Sequence, residues 1–146
     1  MADHARKQIR DAVVTALTGL TTTGSRVYAS RVYPMGSANL PGLCIYTVEE
    51  DIEEATGPRP RTLSRILDVA IEIYAKDNAA LDDTIDKICA EVETALGNTK
   101  PASVKDLVLS SANTRYDGEG DQPHGVARMV FDAYYQTKED APNTIV

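Results

Sequence analysis

The chain has 146 residues, 42% of them hydrophobic and 25% charged, and a formal net charge of −7. That length suits one domain in which roughly two-thirds of the unfolded surface can be buried, so a core forms without staples. The excess of 22 acidic over 15 basic residues argues against a general nucleic-acid surface, and apolar runs of only a few residues exclude a membrane-spanning helix.

The start, MADHARKQIRDAV, has no apolar signal region, so a soluble cytoplasmic protein is expected. Residues 4–20 read as an amphipathic helix: Ala5, Ile9, Ala12, Val13, Ala16, Leu17 and Leu20 recur at helical spacing, and Asp3 is placed to cap it. Gly19 and Gly24 bracket a Thr-rich exit, and a short strand is expected at Val27–Ala29. After the turn-forming stretch 33–42, LCIYTVEE predicts a strand over 43–49. Glu49, Glu50, Asp51, Glu53 and Glu54, followed by Gly57, Pro58 and Pro60, then read as a long hairpin connection or a disordered loop.

The clearest strand is 62–75. Leu67, Val69, Ile71 and Ile73 should meet the core, because the alternate face carries Asp68 and Glu72. Fourteen extended residues would reach about 46 Å, so a bulge or a projecting β-hairpin is expected. A second helix is predicted over 79–96, capped by Asp77 or Asn78, with Leu81, Ile85, Ile88, Cys89, Val92 and Leu96 as its apolar stripe. Strands fit 104–111 and 126–137, the second alternating Ala127, Met129, Phe131, Ala133 and Tyr135 with polar residues. The order implies an α+β fold: two amphipathic helices on one face of a mainly antiparallel, mixed-topology sheet. Residues 1–137 should form the single domain and 138–146 a flexible tail.

Chemistry is sparse. His4 and His124 lack closely spaced partners and give no zinc pattern. Cys44 and Cys89 read as small core fillers, and pairing Cys44 with His124 as nucleophile and base has no local support. Asp68 and Glu72 lie about 13 Å apart on one strand, too far for an acid/base pair. Ion pairing with residues such as Arg128 and Asp132 is the plain account of that face. The acidic run 49–54 lacks the spacing of a calcium loop, and Arg59, Arg61 and Arg65 beside it are weak grounds for nucleic-acid binding. The expectation is therefore no enzyme, no cofactor and no metal. Ile66, Tyr74, Val126, Val130 and Tyr134 on the otherwise polar sheet face fit an oligomer surface, unless the same chain covers them.

The sequence as a whole resembles the tail terminator family of long-tailed bacteriophages, the minor tail protein U family. The similarity runs from about Arg6 to Thr137 through RKQIRDAVVTAL, TGSRVYASRVYP, LPGLCIYTVEE, RILDVAIEIYA, LDDTIDKICAEVETAL and MVFDAYYQT, in that order. Leu40, Pro41, Tyr46 and Glu49 match the family's approach to its strand, and Leu81, Asp82 and Glu93 its second helix. The polar segment 114–125 and the C-terminal KEDAPNTIV depart from some relatives.

The resemblance implies a structural subunit that assembles as a hexameric ring on the finished tail tube. It would end tube polymerisation and offer a surface for head–tail joining. It would act in the host cytoplasm during assembly and in the head-proximal end of the virion tail. Implied partners are further copies of itself, the tail tube protein and a head-completion or connector protein, with DNA passing through unread. Candidate assembly or lumen positions are Glu49, Glu50, Asp51, Glu53, Glu54, Arg59, Arg61, Arg65, Tyr74 and Tyr134. A monomeric interaction adaptor or assembly chaperone is the alternative, and a small hydrolytic enzyme a more distant one.

Overall fold

A computed structural model describes residues 2–29, 40–76, 80–117 and 124–146. In chain order these form helix α1 (Ala5–Leu17), strands β1 (Val27–Tyr28), β2 (Gly42–Glu54) and β3 (Thr62–Lys76), helix α2 (Leu81–Gly97), and strands β4 (Asp106–Asp117), β5 (His124–Lys138) and β6 (Ala141–Ile145). The strands make one six-stranded sheet of order β1-β2-β3-β5-β4, with β6 also paired to β5. Only β1 runs parallel to its neighbour, touching β2 at Leu43 and Cys44; the other pairings are antiparallel. The α+β, mainly antiparallel architecture follows from the sequence.

Periodicity explains the layers. α1 buries Ala5, Ile9, Val13 and Leu17 at every fourth position, and α2 buries Ile85, Ile88, Val92 and Leu96. Both stripes close on the same side of the sheet, against Leu43, Ile45, Leu67, Val69, Ile71, Ile73, Ala127, Met129, Phe131, Ala133 and Tyr135. β3 and β5 thus present the alternating faces their sequences predict. α1 begins one residue later than expected and is capped by His4, whose Nδ1 accepts the Arg6 N–H at 3.1 Å. Asp3 instead binds Lys7 at 3.0 Å. At the other end, Gly19 and Gly24 take positive φ (94° and 57°), the left-handed region that glycine enters without a Cβ penalty. The turn between them is tied to α2 where the Thr22 N–H and hydroxyl donate to Glu91 at 2.9 and 2.5 Å.

Several expectations change. The acidic stretch 49–54 is no loop: it is the second half of β2, paired with β3 as far as Glu54↔Leu63. Reach explains this, because β3 is fifteen residues long and its backbone groups need partners along that whole length. The polar segment 114–125 is not all connection either, since Thr114–Asp117 continues β4 and His124 opens β5. The tail is not free. β6 pairs with β5, Gln8 Nε2 donates to the Asn143 carbonyl at 2.7 Å, and the Val146 N–H donates to the Gln136 carbonyl at 2.9 Å. The expected caps Asp77 and Asn78, and most of the turn-rich stretch 33–42, lie outside the described residues.

The expected bulge exists, on β2 and not on β3. Two residues, Val48 and Glu49, stand between partners of Val69 and Leu67, and a second irregularity falls in β4 between Leu109 and Ser111. Both lie beside one cross-sheet row, Val69↔Phe131. Bulges strengthen local twist and so bend the sheet around the helices.

Candidate functional site

Among the described residues, two polar constellations and two strand edges stand out. The first constellation lies at the end of the helix-covered face. β3 alternation places Arg65 on the same side as Leu67, and it is only 8% exposed. The β2 bulge advances the side-chain alternation by one, so Glu50 turns inward opposite Leu67. Arg65 Nη1 meets Glu50 Oε1 at 2.8 Å and Arg65 Nε meets Thr137 Oγ1 at 3.0 Å. The Tyr135 hydroxyl donates to the other Glu50 oxygen. Every strong group in this cluster has a partner, which is the condition for holding a charge pair out of water. Burial first, then the bond to Glu50, pushes the Tyr135 hydroxyl above its ordinary range. Glu50 and Arg65 therefore leave the set of exposed assembly or lumen candidates: both are internal, with side chains 5% and 8% exposed.

The second constellation lies on the face away from the two helices, where Cys44 and Ala70 are buried and Tyr46, Glu72 and Tyr74 half-buried. Register sets Glu72 opposite Arg128, but the expected ion pair does not form and Arg128 Nε is buried with no hydrogen-bond partner among the described residues; the Tyr46 and Tyr74 hydroxyls each donate to Glu72 at 2.5 Å instead. Burial and the bond to Glu72 raise both tyrosine pKa values. Two rows along on the same face, beyond Ala70↔Val130, the expectation of an ion pair fails again: Asp68 lies opposite Asp132. Burial, a hydrogen bond to Asp132 and its charge push the Asp68 carboxyl up to about 6. The Ser110 hydroxyl donates to Asp132 Oδ1 at 3.2 Å. Around these carboxyls, Ile66, Val126 and Val130 are half-buried and Tyr134 is 38% exposed.

The other sequence-predicted positions divide by place. Glu49, Asp51, Glu53 and Glu54 are exposed along β2. Arg59 is exposed at the β2–β3 hairpin, while Arg61 donates to the Gly57 carbonyl at 3.1 Å and lies 3.8 Å from Glu54 and from Glu139. Tyr74 is engaged with Glu72 and Tyr134 stands free at the surface row. Cys44 and His124 are not brought together, because β5 register sets Cys44's row at Arg128, four residues from His124. Among the described residues, no group of three or more His, Cys, Asp or Glu is placed to hold a metal ion. No described helix is long and apolar enough to cross a membrane.

Sequence reasoning missed the Glu50–Arg65–Tyr135 cluster, although one signal was present: Arg65 has the same parity as Leu67, Val69 and Ile71. It also missed the edges. β4 closes one side of the sheet, and on the other β1 covers only Leu43 and Cys44, so that among the described residues the outer edge of the second half of β2 has no partner strand. Val48, Ile52, Val108, Leu109 and Tyr116 are the exposed apolar residues of those two strands.

No family model and no curated protein matches the sequence. Among solved structures, the fold is similar to a chain of the virion of a native gene transfer agent particle, with a TM-score of 0.55 and 24% sequence identity over 92% of both chains. At that identity the likeness establishes a shared fold.

Proposed function

We propose that the chain is a structural subunit of a phage-like particle and, within it, the tail terminator. One observation carries the reading: the fold of a virion chain is matched over nearly the full length of both proteins. The ordered sequence resemblance to tail terminators supports the finer role, since it spans the same elements. In this reading copies of the chain form a ring on the finished tail tube, stop its growth and present a surface to a head-completion protein. The chain does no catalysis, takes no cofactor, and works in the host cytoplasm before residing at the head-proximal end of the tail.

The surfaces suit that work. A sheet face on which half-buried Ile66, Val126 and Val130 and exposed Tyr134 alternate in rows with Glu72↔Arg128 and Asp68↔Asp132 offers the mixed apolar and polar contacts of a protein interface. Exposed Glu49, Asp51, Glu53 and Glu54 would repel a phosphate backbone if the ring turns them toward its lumen, letting DNA pass without sticking.

The test adds purified protein to growing tail tubes and measures their length distribution by electron microscopy. Tubes of limited length, each ending in a ring of density, are expected. Unlimited growth with the correct tube protein present would refute termination. Retention of DNA by rings in which the four exposed acids are changed to Gln or Asn should rise; unchanged retention would remove them from the lumen.

A further inference from the structure

We infer that successive copies of this chain join edge to edge, the outer half of β2 in one copy pairing with β4 of the next. This deepens the reading of the chain as a self-assembling subunit, on which it rests, by naming the strands that meet. Among the described residues, both strands end the sheet without a full partner. β4 is twelve residues long, and every one from Val108 to Tyr116 is exposed. β1 pairs with β2 only at Leu43 and Cys44, so the backbone from Glu50 to Glu54 is bonded on one side alone. Exposed edges of this length invite another strand unless they are blunted.

Three features choose the occupant. The first is charge. The outer half of β2 exposes Glu49, Asp51, Glu53 and Glu54, so two such edges repel each other and cannot pair symmetrically. β4 after its bulge, Ser111–Tyr116, carries Arg115 and no acid. The second is facing. Register puts Arg115, Asp51 and Glu53 on the face away from the helices, and Ile52 and Ala112 on the helix-covered face. Ile52 lies in the Tyr135 row and Ala112 in the Met129 row, so a second copy offset by six residues along the strands, about 20 Å, sets Arg115 among the acids on one side of the junction and Ile52 against the small Ala112 side chain on the other.

The third is direction. β2, β3, β5 and β4 alternate, each antiparallel to the next. With four long strands, β4 runs opposite to β2. A copy set beside the first in the same orientation then brings its β2 antiparallel to β4, and the alternation continues unbroken across the boundary. Such a contact uses two different patches. It is heterologous, the kind that closes into a ring when the rotation between neighbours allows.

The experiment uses full-length Ile52→Cys and Ala112→Cys variants, both at exposed positions, with a short bis-maleimide. Wild-type protein gives the background from the native thiols, which is small because Cys44 is buried and burial pushes the Cys89 thiol up to about 11. The mixture of the two variants should yield covalent dimer several-fold above either variant alone, and the double variant should give a ladder of higher species. Adding Arg115→Glu should reduce that yield several-fold. Self-linking of Ala112→Cys alone would replace this contact with a symmetric β4–β4 dimer. No cross-link beyond background, in solution or on capped tubes, would overturn the pairing. The tube-length assay keeps the two ideas apart: capping without cross-links sinks the edge contact only, and cross-links without capping sink termination only.

Discussion

The Arg65 guanidinium is the side chain on which local stability most depends, because it is a buried charge held by Glu50 and Thr137. Truncating one partner strands the other in a medium that cannot solvate it. Arg65→Met should cost about 3–5 kcal/mol in chemical denaturation, and adding Glu50→Gln should recover part of that loss. Asp68 makes the opposite case. Its carboxyl titrates near 6 in the fold against an ordinary 3.8, so it binds its proton more tightly folded than unfolded. That contribution is fully present below pH 3.8 and is lost as pH rises through about 6. Asp68→Asn should therefore raise stability at pH 7 relative to the parent and leave it little changed at pH 4. The gain should be under about 1 kcal/mol, because water reaches this face and screens the pair. Denaturant midpoints at the two pH values measure it.

At the level of elements, close contact between β5 and α2 rests on Gly125. A Cβ there would stand 2.4 Å from Ile85 Cδ1, and the obstructing atom is the end of a flexible side chain. Gly125→Ala should cost about 1–3 kcal/mol by overpacking, with the smaller Ile85→Val restoring part of it. β6 is the element the sequence concealed. APNTI has neither the length nor the alternation of a core strand, and its order comes from partners: β5, Gln8 of α1, and the packing of Ile145 on the core. Ending the chain after Lys138 should lower stability by about 1–3 kcal/mol, from the lost hydrogen bonds and half-buried Ile145. A midpoint unchanged by the truncation would return β6 to the status of a tail. The helices and the buried face of β3 and β5 were legible because period 3.6 and period 2 are written directly in their apolar residues. The second half of β2 was not. Five acids in six positions hide alternation, and only a long partner strand reveals that the backbone there must pair.

At the scale of the whole molecule, the layered α+β architecture and the residues of the sheet face away from the helices were legible in the sequence, but not which carboxyls would meet. Asp68 and Asp132 were placed on the correct side, yet their opposition depends on a register that no local pattern specifies. Glu50 shows the same gap from another direction, since its inward turn is decided by the bulge at Val48 and Glu49. That bulge makes β2 a strand with one residue in reserve. A gene that lost the codon for Val48 would shorten the chain where the ladder has an unmatched residue. Glu50 would still meet Leu67, and Thr47 would still meet Val69. Loss of the codon for Ile52 has no such slack, and would bring Glu53 to the inward position beside Arg65. The first deletion should leave a folded, less twisted sheet, and the second should lower the melting temperature further, because it puts Glu53 and Glu54 out of register with β3 up to the hairpin, a contrast that thermal melts of the two variants would display. Lineages of this protein can then differ in length at that point without exchanging inside for outside.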